Sequence, residues 1–304
     1  MENPGPIDLR RLQNFVPTVH HDTYPAIDPL KADLSGKYVL VTGASKGIGR
    51  ATALSYAKAG ASGIAVLARS ESALSSLAEE LYYAAEAAGR RARPKVLCLT
   101  ADATVESQVK AAADKVAAEF NGRLDILINN AGYLEKWKPI ADPTSDPVDW
   151  WRSFEVNVKG VYLMDRALIP LLLKTDGGDK TIISVSSIGA HVVVPGGSAY
   201  QTAKQAVLRL NNFLVAEYAS QGLLAYSVHP GGVPTVLGLT MPEFMHEVLK
   251  DTPELAADTF VWLTKERRDW LNDRYFDVTW DVDEFLAKKD DIVQKDLLRY
   301  HFRM

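Results

Sequence analysis

Tyr200 and Lys204 are the side chains whose types and spacing could do chemistry. Residues four apart share one face of a helix, so the phenol and the ammonium group are expected to lie side by side. A free tyrosine has a pKa of about 10 and holds its proton too tightly for easy transfer in both directions. A neighbouring cation favours the phenolate and lowers that pKa. The pair indicates proton transfer at a substrate oxygen, although Tyr-x-x-x-Lys also occurs in ordinary amphipathic helices.

A glycine-rich turn, Thr42–Gly49, follows an apolar run and opens into a helical stretch. Such a turn lets the backbone approach a pyrophosphate, whose charge the helix N-terminus stabilises. The preceding strand and following helix supply the context that this motif requires. The turn therefore predicts a dinucleotide site that includes Thr42, Gly43, Ser45, Lys46, Gly47, Ile48 and Gly49.

Six apolar, strand-like runs alternate with helical stretches and must position these residues. The runs are Lys37–Thr42, Gly63–Ala68, Val96–Thr100, Leu124–Asn129, Thr181–Ser186 and Leu223–Val228. Continuous apolar runs between helices predict a parallel sheet covered on both faces, a doubly wound α/β domain of the Rossmann type. We expect one domain over residues 36–280, with an extended N-terminal arm (1–35) and a helical C-terminal tail (281–304).

Three details of the helices are also predicted. A long helix is expected from about Asp149 to Leu173, with Pro170 kinking or ending it. A tail helix is expected over Val282–Leu298. Asp281, Asp283 and Glu284 are expected to start that helix, because its dipole favours negative charge there.

Composition excludes several classes of function. The 304 residues carry a net charge of −4 and contain no basic block that could neutralise a row of phosphates, so nucleic acid is not an expected partner. We see no run of about 18 apolar residues and no basic, apolar opening, which predicts a cytoplasmic protein without a membrane span. The single cysteine, Cys98, excludes an internal disulfide. His20 and His21 are interpreted as surface residues rather than metal ligands.

The spacing Thr-Gly-x-x-x-Gly-x-Gly resembles that of the short-chain dehydrogenase/reductase family, and further motifs follow in the family's order over about residues 35–235. The resemblance implies that Asp102 contacts adenine and that Asn129, Ala131 and Gly132 line the cofactor. It also implies that the Pro-Gly-x-Val-x-Thr motif meets the nicotinamide carboxamide through Pro230, Gly231, Val233 and Thr235. The proline-rich arm and the tail look like those of fungal members that process secondary metabolites.

The same resemblance implies a catalytic group of Asn157, Ser187, Tyr200 and Lys204. Ser187 precedes Tyr200 by 13 residues, as in the family; its neighbour Ser186 is expected to pack at the strand end. Ser187 would hold the substrate oxygen, and Tyr200 would exchange the proton. Lys204 would also bind the nicotinamide ribose, and Asn157 would hold a water that links Lys204 to solvent. A serine-hydrolase alternative using His191 fails, because no Gly-x-Ser-x-Gly elbow surrounds Ser187.

The expected cofactor is NADP(H). A carboxylate at the end of the second strand would pair with a ribose 2′-hydroxyl and repel a 2′-phosphate. Ala68 occupies that position, and the cations Arg69 and Lys46 lie close by. Two cations and no anion favour the 2′-phosphate.

The expected reaction is reduction of a bulky apolar ketone or quinone, possible in reverse as alcohol oxidation. The pocket is predicted from three segments: Tyr133, Leu134 and Trp137; His191–Val194; and Leu237, Leu239, Met241, Phe244 and Met245. The alternatives are an isomerase or dehydratase using the same site and a non-catalytic cofactor-binding scaffold. By resemblance, the helices at 149–173 and 203–221 pair between subunits in a homodimer or homotetramer.

Overall fold

A seven-stranded, wholly parallel sheet forms the centre of the computed structural model, which describes residues 14–300. The strands are β1 (Tyr38–Thr42), β2 (Gly63–Ala68), β3 (Lys95–Thr100), β4 (Ile126–Asn129), β5 (Thr181–Val185), β6 (Leu224–His229) and β7 (Tyr275–Asp277). They lie side by side in the order β3-β2-β1-β4-β5-β6-β7. The chain reverses its direction of winding between β1 and β4, where such sheets form a ligand crevice at the strands' carboxyl ends. The predicted doubly wound α/β fold is confirmed.

Nine α-helices accompany the sheet in the described residues. They are α1 (Gly47–Lys58), α2 (Glu71–Ala87), α3 (Glu106–Glu119), α4 (Pro147–Phe154), α5 (Gly160–Lys174), α6 (Ser198–Tyr218), α7 (Pro253–Thr264), α8 (Val282–Ala287) and α9 (Lys289–Gln294). Neighbouring strand residues point to opposite faces of the sheet: Val39 and Val41 pack in the apolar core with α1, α2 and α7, whereas Leu40 packs in the one with α3 and α5. Both faces are covered, which explains why the strands are apolar throughout.

The expected single helix from Asp149 to Leu173 is wrong in two respects. A π-helical turn, Glu155–Lys159, separates α4 from α5. Pro170 does not end α5, which continues to Lys174. The proline cannot donate to the carbonyl of Arg166, four residues earlier, but both residues are exposed, so water can satisfy that oxygen.

The C-terminal segment differs from the predicted helix over Val282–Leu298. It forms two short helices, α8 and α9, separated at Lys288. Asp296 has a φ of +48°, which ends the helical conformation, and the Leu298 carbonyl accepts a hydrogen bond from Tyr275 N at 2.7 Å. The chain therefore turns back onto β7. Asp281 begins α8 as expected, accepting hydrogen bonds from the backbone of Asp283 and Glu284.

The described part of the N-terminal arm, residues 14–35, packs on its own domain. Val16 and Leu34 are fully buried in the core beside α1 and α7. His20 N donates to Thr279 O at 2.7 Å, and Val19 forms an antiparallel bridge with Trp280. Residues 1–13 and 301–304, the ends of the predicted arm and tail, lie outside the described residues. No helix among the described residues has the length and apolar character needed to cross a membrane.

Candidate active site

A cleft of about 360 Å³ opens at the carboxyl ends of the central strands. Most of the predicted site residues line it. They are Gly43, Ser45, Lys46, Gly47, Ile48, Arg69, Asp102, Ala131, Gly132, Ser187, Tyr200, Lys204, Pro230, Gly231, Val233 and Thr235. Thr42, Gly49, Asn129 and Asn157 are buried behind that lining instead. The topology thus joins segments that are up to about 190 residues apart in the chain into one site.

The glycine turn is held so closely that side chains are excluded from it. Gly43 has a φ of +66°, and a Cβ there would lie 2.8 Å from Ala131 Cα. A Cβ on Gly49 would lie 2.5 Å from the carbonyl oxygen of Gly43. Helix α1 begins directly after this turn, and Lys46, its N-cap residue, makes no side-chain cap. The first N–H groups of α1 therefore remain available to an anion.

Thr42 and Asn130 fasten this turn to the loop that follows β4. Thr42 Oγ1 accepts hydrogen bonds from Asn130 N and Ala131 N, both at 3.0 Å. The Asn130 side chain donates to Thr42 O at 2.9 Å. Asn130 was not among the predicted residues, although it lies between Asn129 and Ala131, which were. Thr42 acts from behind the turn, where it holds two loops together.

Asn129 faces the helix layer rather than the cleft. Its amide donates to Asp165 Oδ1 on α5 at 2.7 Å, and both side chains are buried. Burial raises the pKa of Asp165 to about 7, and the hydrogen bond from Asn129 opposes part of that rise. The described contacts thus tie β4 to α5, and the predicted role of Asn129 in lining the cofactor stays a prediction.

The outer end of the cleft carries the cations. Lys46 and Arg69 are exposed, and neither is ion-paired with another of residues 14–300. Asp102 faces the same end: its Oδ1 accepts from Thr104 N and Oγ1 at 2.9 and 2.7 Å, and its Oδ2 lies 3.4 Å from an Arg152 nitrogen. Burial opposes ionisation of Asp102, but these partners outweigh it and lower its pKa. Arg152, which lines the cleft from α4, was missed because nothing in its sequence neighbourhood distinguishes it.

Ser187, Tyr200 and Lys204 meet at the inner end. Ser187 Oγ accepts from Gly189 N at 3.0 Å. Burial raises the pKa of Tyr200, a hydrogen bond with Ser187 lowers it by less, and the Glu135 carboxylate raises it further. Lys204 Nζ lies 5.6 Å from the centre of the Tyr200 ring and donates to Val185 O at 2.8 Å. Burial lowers the pKa of Lys204 to about 8, so its ammonium form persists at neutral pH.

Ser186 and His191 lie beside this group and make contacts of their own. Ser186 is buried, and its hydroxyl donates to Lys204 O at 2.9 Å, which holds α6 against β5. His191 is exposed, and its ring packs edge-on against Tyr275. The rejection of His191 as a hydrolase base stays a prediction.

Asn157 sits in the π-helical turn, whose wider geometry is common at functional sites. Its amide donates to Tyr133 O at 2.7 Å and to Ser153 O at 2.9 Å, and its Oδ1 accepts from Tyr133 N at 3.3 Å. Asn157 therefore fixes the backbone at the start of the loop after β4. Its predicted role in holding a water stays a prediction.

The loop after β6 is anchored by residues that the sequence did not single out. Gly231 has a φ of +81°, and Asp251 Oδ2 accepts from Gly232 N at 2.6 Å. His21 of the N-terminal arm lies 2.5 Å from the other Asp251 oxygen. The Thr235 side chain packs against the glycine turn, because a Cβ on Gly47 would lie 2.9 Å from Thr235 Cγ2. No motif near Asp251 in the sequence predicts this role, because its hydrogen-bond partners are 19 and 230 residues away.

An apolar pocket adjoins Tyr200. Leu134, Trp137, Val194 and Met245 form its buried centre. Other apolar residues packed against them are Val192, Leu237, Met241, Phe244 and Val248. Four predicted pocket residues, His191, Val193, Leu239 and Phe244, do not line the cleft; Phe244 packs against the pocket centre, whereas Val193 is 95% exposed. The residues of this cluster are apolar, which suits a bulky uncharged ligand.

Comparison with known proteins gives consistent matches. A family model described as short chain dehydrogenase matches residues 37–244. The short chain dehydrogenase mpl6 of Monascus purpureus is 51% identical over 285 residues, covering 94% of this chain and 95% of that protein. The short chain dehydrogenase pigC of Monascus ruber is 47% identical over 305 residues, covering 99% and 96%. A crystal structure of 3-ketoacyl-(acyl-carrier-protein) reductase from Brucella melitensis, complexed with NADH, aligns with a TM-score of 0.70 and 28% identity, covering 80% of this chain and 96% of that one.

Proposed function

The chain belongs to the short-chain dehydrogenase/reductase family of oxidoreductases, and from that premise we propose that it is an NADPH-dependent ketoreductase of bulky, apolar, aromatic or polycyclic carbonyl compounds. One observation supports the proposal most: a glycine turn, the Ser187–Tyr200–Lys204 group and an apolar pocket all lie in the same cleft. The fungal origin of the similar proteins supports a place in secondary metabolism.

The dinucleotide fits the residues of the cleft. Gly43 and Gly47 leave no room for a Cβ, and the uncapped start of α1 offers N–H groups to a pyrophosphate. Arg69 and Lys46 would hold the 2′-phosphate, and Asp102 would contact adenine. Gly231 and Thr235 would meet the carboxamide. When bound, the reduced nicotinamide supplies the hydride.

The remaining chemistry falls to three side chains. Ser187 Oγ would donate a hydrogen bond to the substrate oxygen and hold it beside Tyr200. Tyr200 Oη would give its proton to that oxygen as negative charge develops there. The ammonium group of Lys204 would then stabilise the phenolate, since unlike charges favour the ionised form. Reversal of the same steps would oxidise an alcohol.

A homodimer or homotetramer is part of the proposal. Trp151 on α4, Tyr162 on α5 and Phe213 on α6 are large aromatic side chains that are 57%, 46% and 50% exposed. Aromatic residues are enriched in the cores of protein interfaces, so these helices are the expected contact.

Substrate class is tested by following the loss of NADPH absorbance with a panel of carbonyl compounds. We expect turnover with aromatic and polycyclic ketones or quinones and little with sugars or short keto acids, because the residues that form the pocket centre offer apolar contacts. Turnover confined to sugars or short acids would contradict the substrate proposal while leaving the cofactor proposal standing.

Cofactor preference is tested by Arg69→Glu. We expect kcat/KM for NADPH to fall roughly 10- to 30-fold, because a charge-assisted hydrogen bond to the 2′-phosphate is replaced by repulsion. The kcat/KM for NADH should change little, since NADH has a hydroxyl in place of the 2′-phosphate. Arg91→Glu, an exposed residue outside the cleft, is the matched control for the change in net charge. Equal losses with both cofactors would contradict the assignment of Arg69.

A further inference from the structure

Glu135 is a buried carboxylate that the proposed chemistry does not use. It follows Tyr133 and Leu134 in the loop after β4, and it is 3% exposed. None of residues 14–300 forms an ion pair with it. A carboxylate removed from water is costly unless hydrogen bonds compensate for the lost hydration, so its partners indicate why it is retained.

Those partners lie at the start of the catalytic helix. Glu135 Oε1 accepts from Ala199 N at 3.0 Å and from Tyr200 N at 3.1 Å, and its Oε2 accepts from Tyr200 N at 3.0 Å. The N-cap residue of α6 is Gly197, which has no side chain to accept from these groups. Glu135 thus supplies from 64 residues away the cap that the helix lacks. Its negative charge also complements the positive end of the helix dipole.

The same carboxylate connects two further elements to α6. Its Oε2 accepts from Ser153 Oγ of α4 at 2.7 Å. Trp137, two residues along the loop, packs on the glycines before α6, since a Cβ on Gly197 would lie 2.9 Å from its ring. Lys138 N donates to Gly196 O at 3.0 Å. The substrate loop and the first turn of α6 are therefore fastened together around Glu135.

We propose that Glu135 is a positioning residue that fixes the first turn of α6, and with it Tyr200, against the loop that lines the substrate pocket. The inference rests on the proposed function in so far as Tyr200 is the proton donor. Tyr200 belongs to the turn whose N–H groups Glu135 holds, so a displaced carboxylate would move the phenol relative to Ser187.

Charge adds a consequence that a purely structural cap would not have. The Glu135 carboxylate contributes, after burial, to the rise in the pKa of Tyr200. Removing the charge should lower that pKa. Reduction needs the protonated phenol and is lost as the pH rises through its pKa, so the alkaline limb of the reduction profile should move to lower pH.

The experiment compares Glu135→Gln, Glu135→Asp and Ser153→Ala with the wild-type chain. Glu135→Gln should lower kcat roughly tenfold with little change in NADPH affinity, and it should move the alkaline limb to lower pH. Glu135→Asp keeps the charge on a shorter side chain, so kcat should fall while the alkaline limb stays near its wild-type position. Ser153→Ala removes one donor, keeps the carboxylate and should lower kcat by a smaller factor. It serves as the second variant if the Glu135 variants do not fold.

A substrate-free readout separates this inference from the proposed function. Titration of tyrosinate absorbance, taken as the difference between each protein and its Tyr200→Phe version, reports the pKa of Tyr200 directly. A lower midpoint in Glu135→Gln supports the inference even if no carbonyl compound is turned over. A wild-type midpoint in Glu135→Gln, or wild-type kcat and pH profile in both Glu135 variants, would overturn it. If the Glu135 variants do not fold, a wild-type kcat in Ser153→Ala would overturn the inference.

Discussion

Tyr200→Phe is expected to reduce NADPH-linked carbonyl reduction by roughly 10²- to 10⁴-fold, the usual contribution of a positioned general acid. The ring packs against the Lys204 ammonium group, and phenylalanine preserves that contact while removing only the hydroxyl. NADPH affinity should therefore be unchanged. The measurement is the rate of NADPH oxidation with the best substrate of the panel, together with a binding titration followed by NADPH fluorescence.

Tyr133→Phe is the matched control, because Tyr133 also lines the cleft. Its hydroxyl donates to Asp149, and that hydrogen bond is the main reason why the pKa of Tyr133 is raised to about 12. A phenol held in this way is a poor proton donor, so its loss should lower kcat far less than the loss of the Tyr200 hydroxyl. Turnover that survives Tyr200→Phe, or that falls equally in both variants, would contradict the proposed mechanism.

Gly43→Ala is expected to have the second large effect, on cofactor affinity and on stability together. A left-handed φ costs an alanine roughly 1–2 kcal/mol. The Cβ would also lie 2.8 Å from the Ala131 backbone, and such overpacking costs roughly 1–3 kcal/mol more. The turn must move to relieve that contact, and NADPH affinity should fall. A loss of about 2.8 kcal/mol of binding free energy corresponds to a fall of about 100-fold.

Gly89→Ala separates the two causes. Gly89 has a φ of +68°, close to the +66° of Gly43, but no atom lies within 4 Å of its would-be Cβ. Its substitution should lower the free energy of unfolding by the backbone penalty alone and leave NADPH binding intact. Urea unfolding and NADPH titration of both variants make the comparison. Similar losses of affinity in the two would show that the close approach to Ala131 is unimportant.

Much of the fold could be predicted because its signals are local. Each of the six predicted strands is a short apolar run between helices, and burial on both faces of a parallel sheet requires that pattern. The seventh strand, Tyr275–Asp277, was missed because three residues are too few to show a period. The tail helix was predicted too long because the charged run after Lys288 is compatible with a helix. In the structure it is divided at Lys288, and after Asp296 the chain turns back so that Leu298 O accepts from Tyr275 N.

The positions of some site residues could also be predicted where spacing is enough. Tyr200 and Lys204 lie on one turn of α6, and helical geometry brings their side chains together wherever that helix lies. The Thr42–Gly49 turn could be placed because a strand precedes it and a helix follows. Asn129 was predicted and its neighbour Asn130 was not, yet the two amides make their hydrogen bonds in different places, with Asp165 on α5 and with Thr42 of the turn. Only Asn130 faces the turn.

By itself, the sequence determined the doubly wound sheet, the glycine turn and the Tyr200–Lys204 pair, because each depends on residues close together in the chain. Only the tertiary structure decided that Glu135 caps α6 and that His21 reaches Asp251. It also decided that the π-helical turn directs Asn157 onto the backbone of Tyr133. Contacts between residues 64 or 230 positions apart leave no periodicity in the sequence. They exist because the order of the strands brings separate loops to the same edge of the sheet, where their unpaired polar groups must find partners.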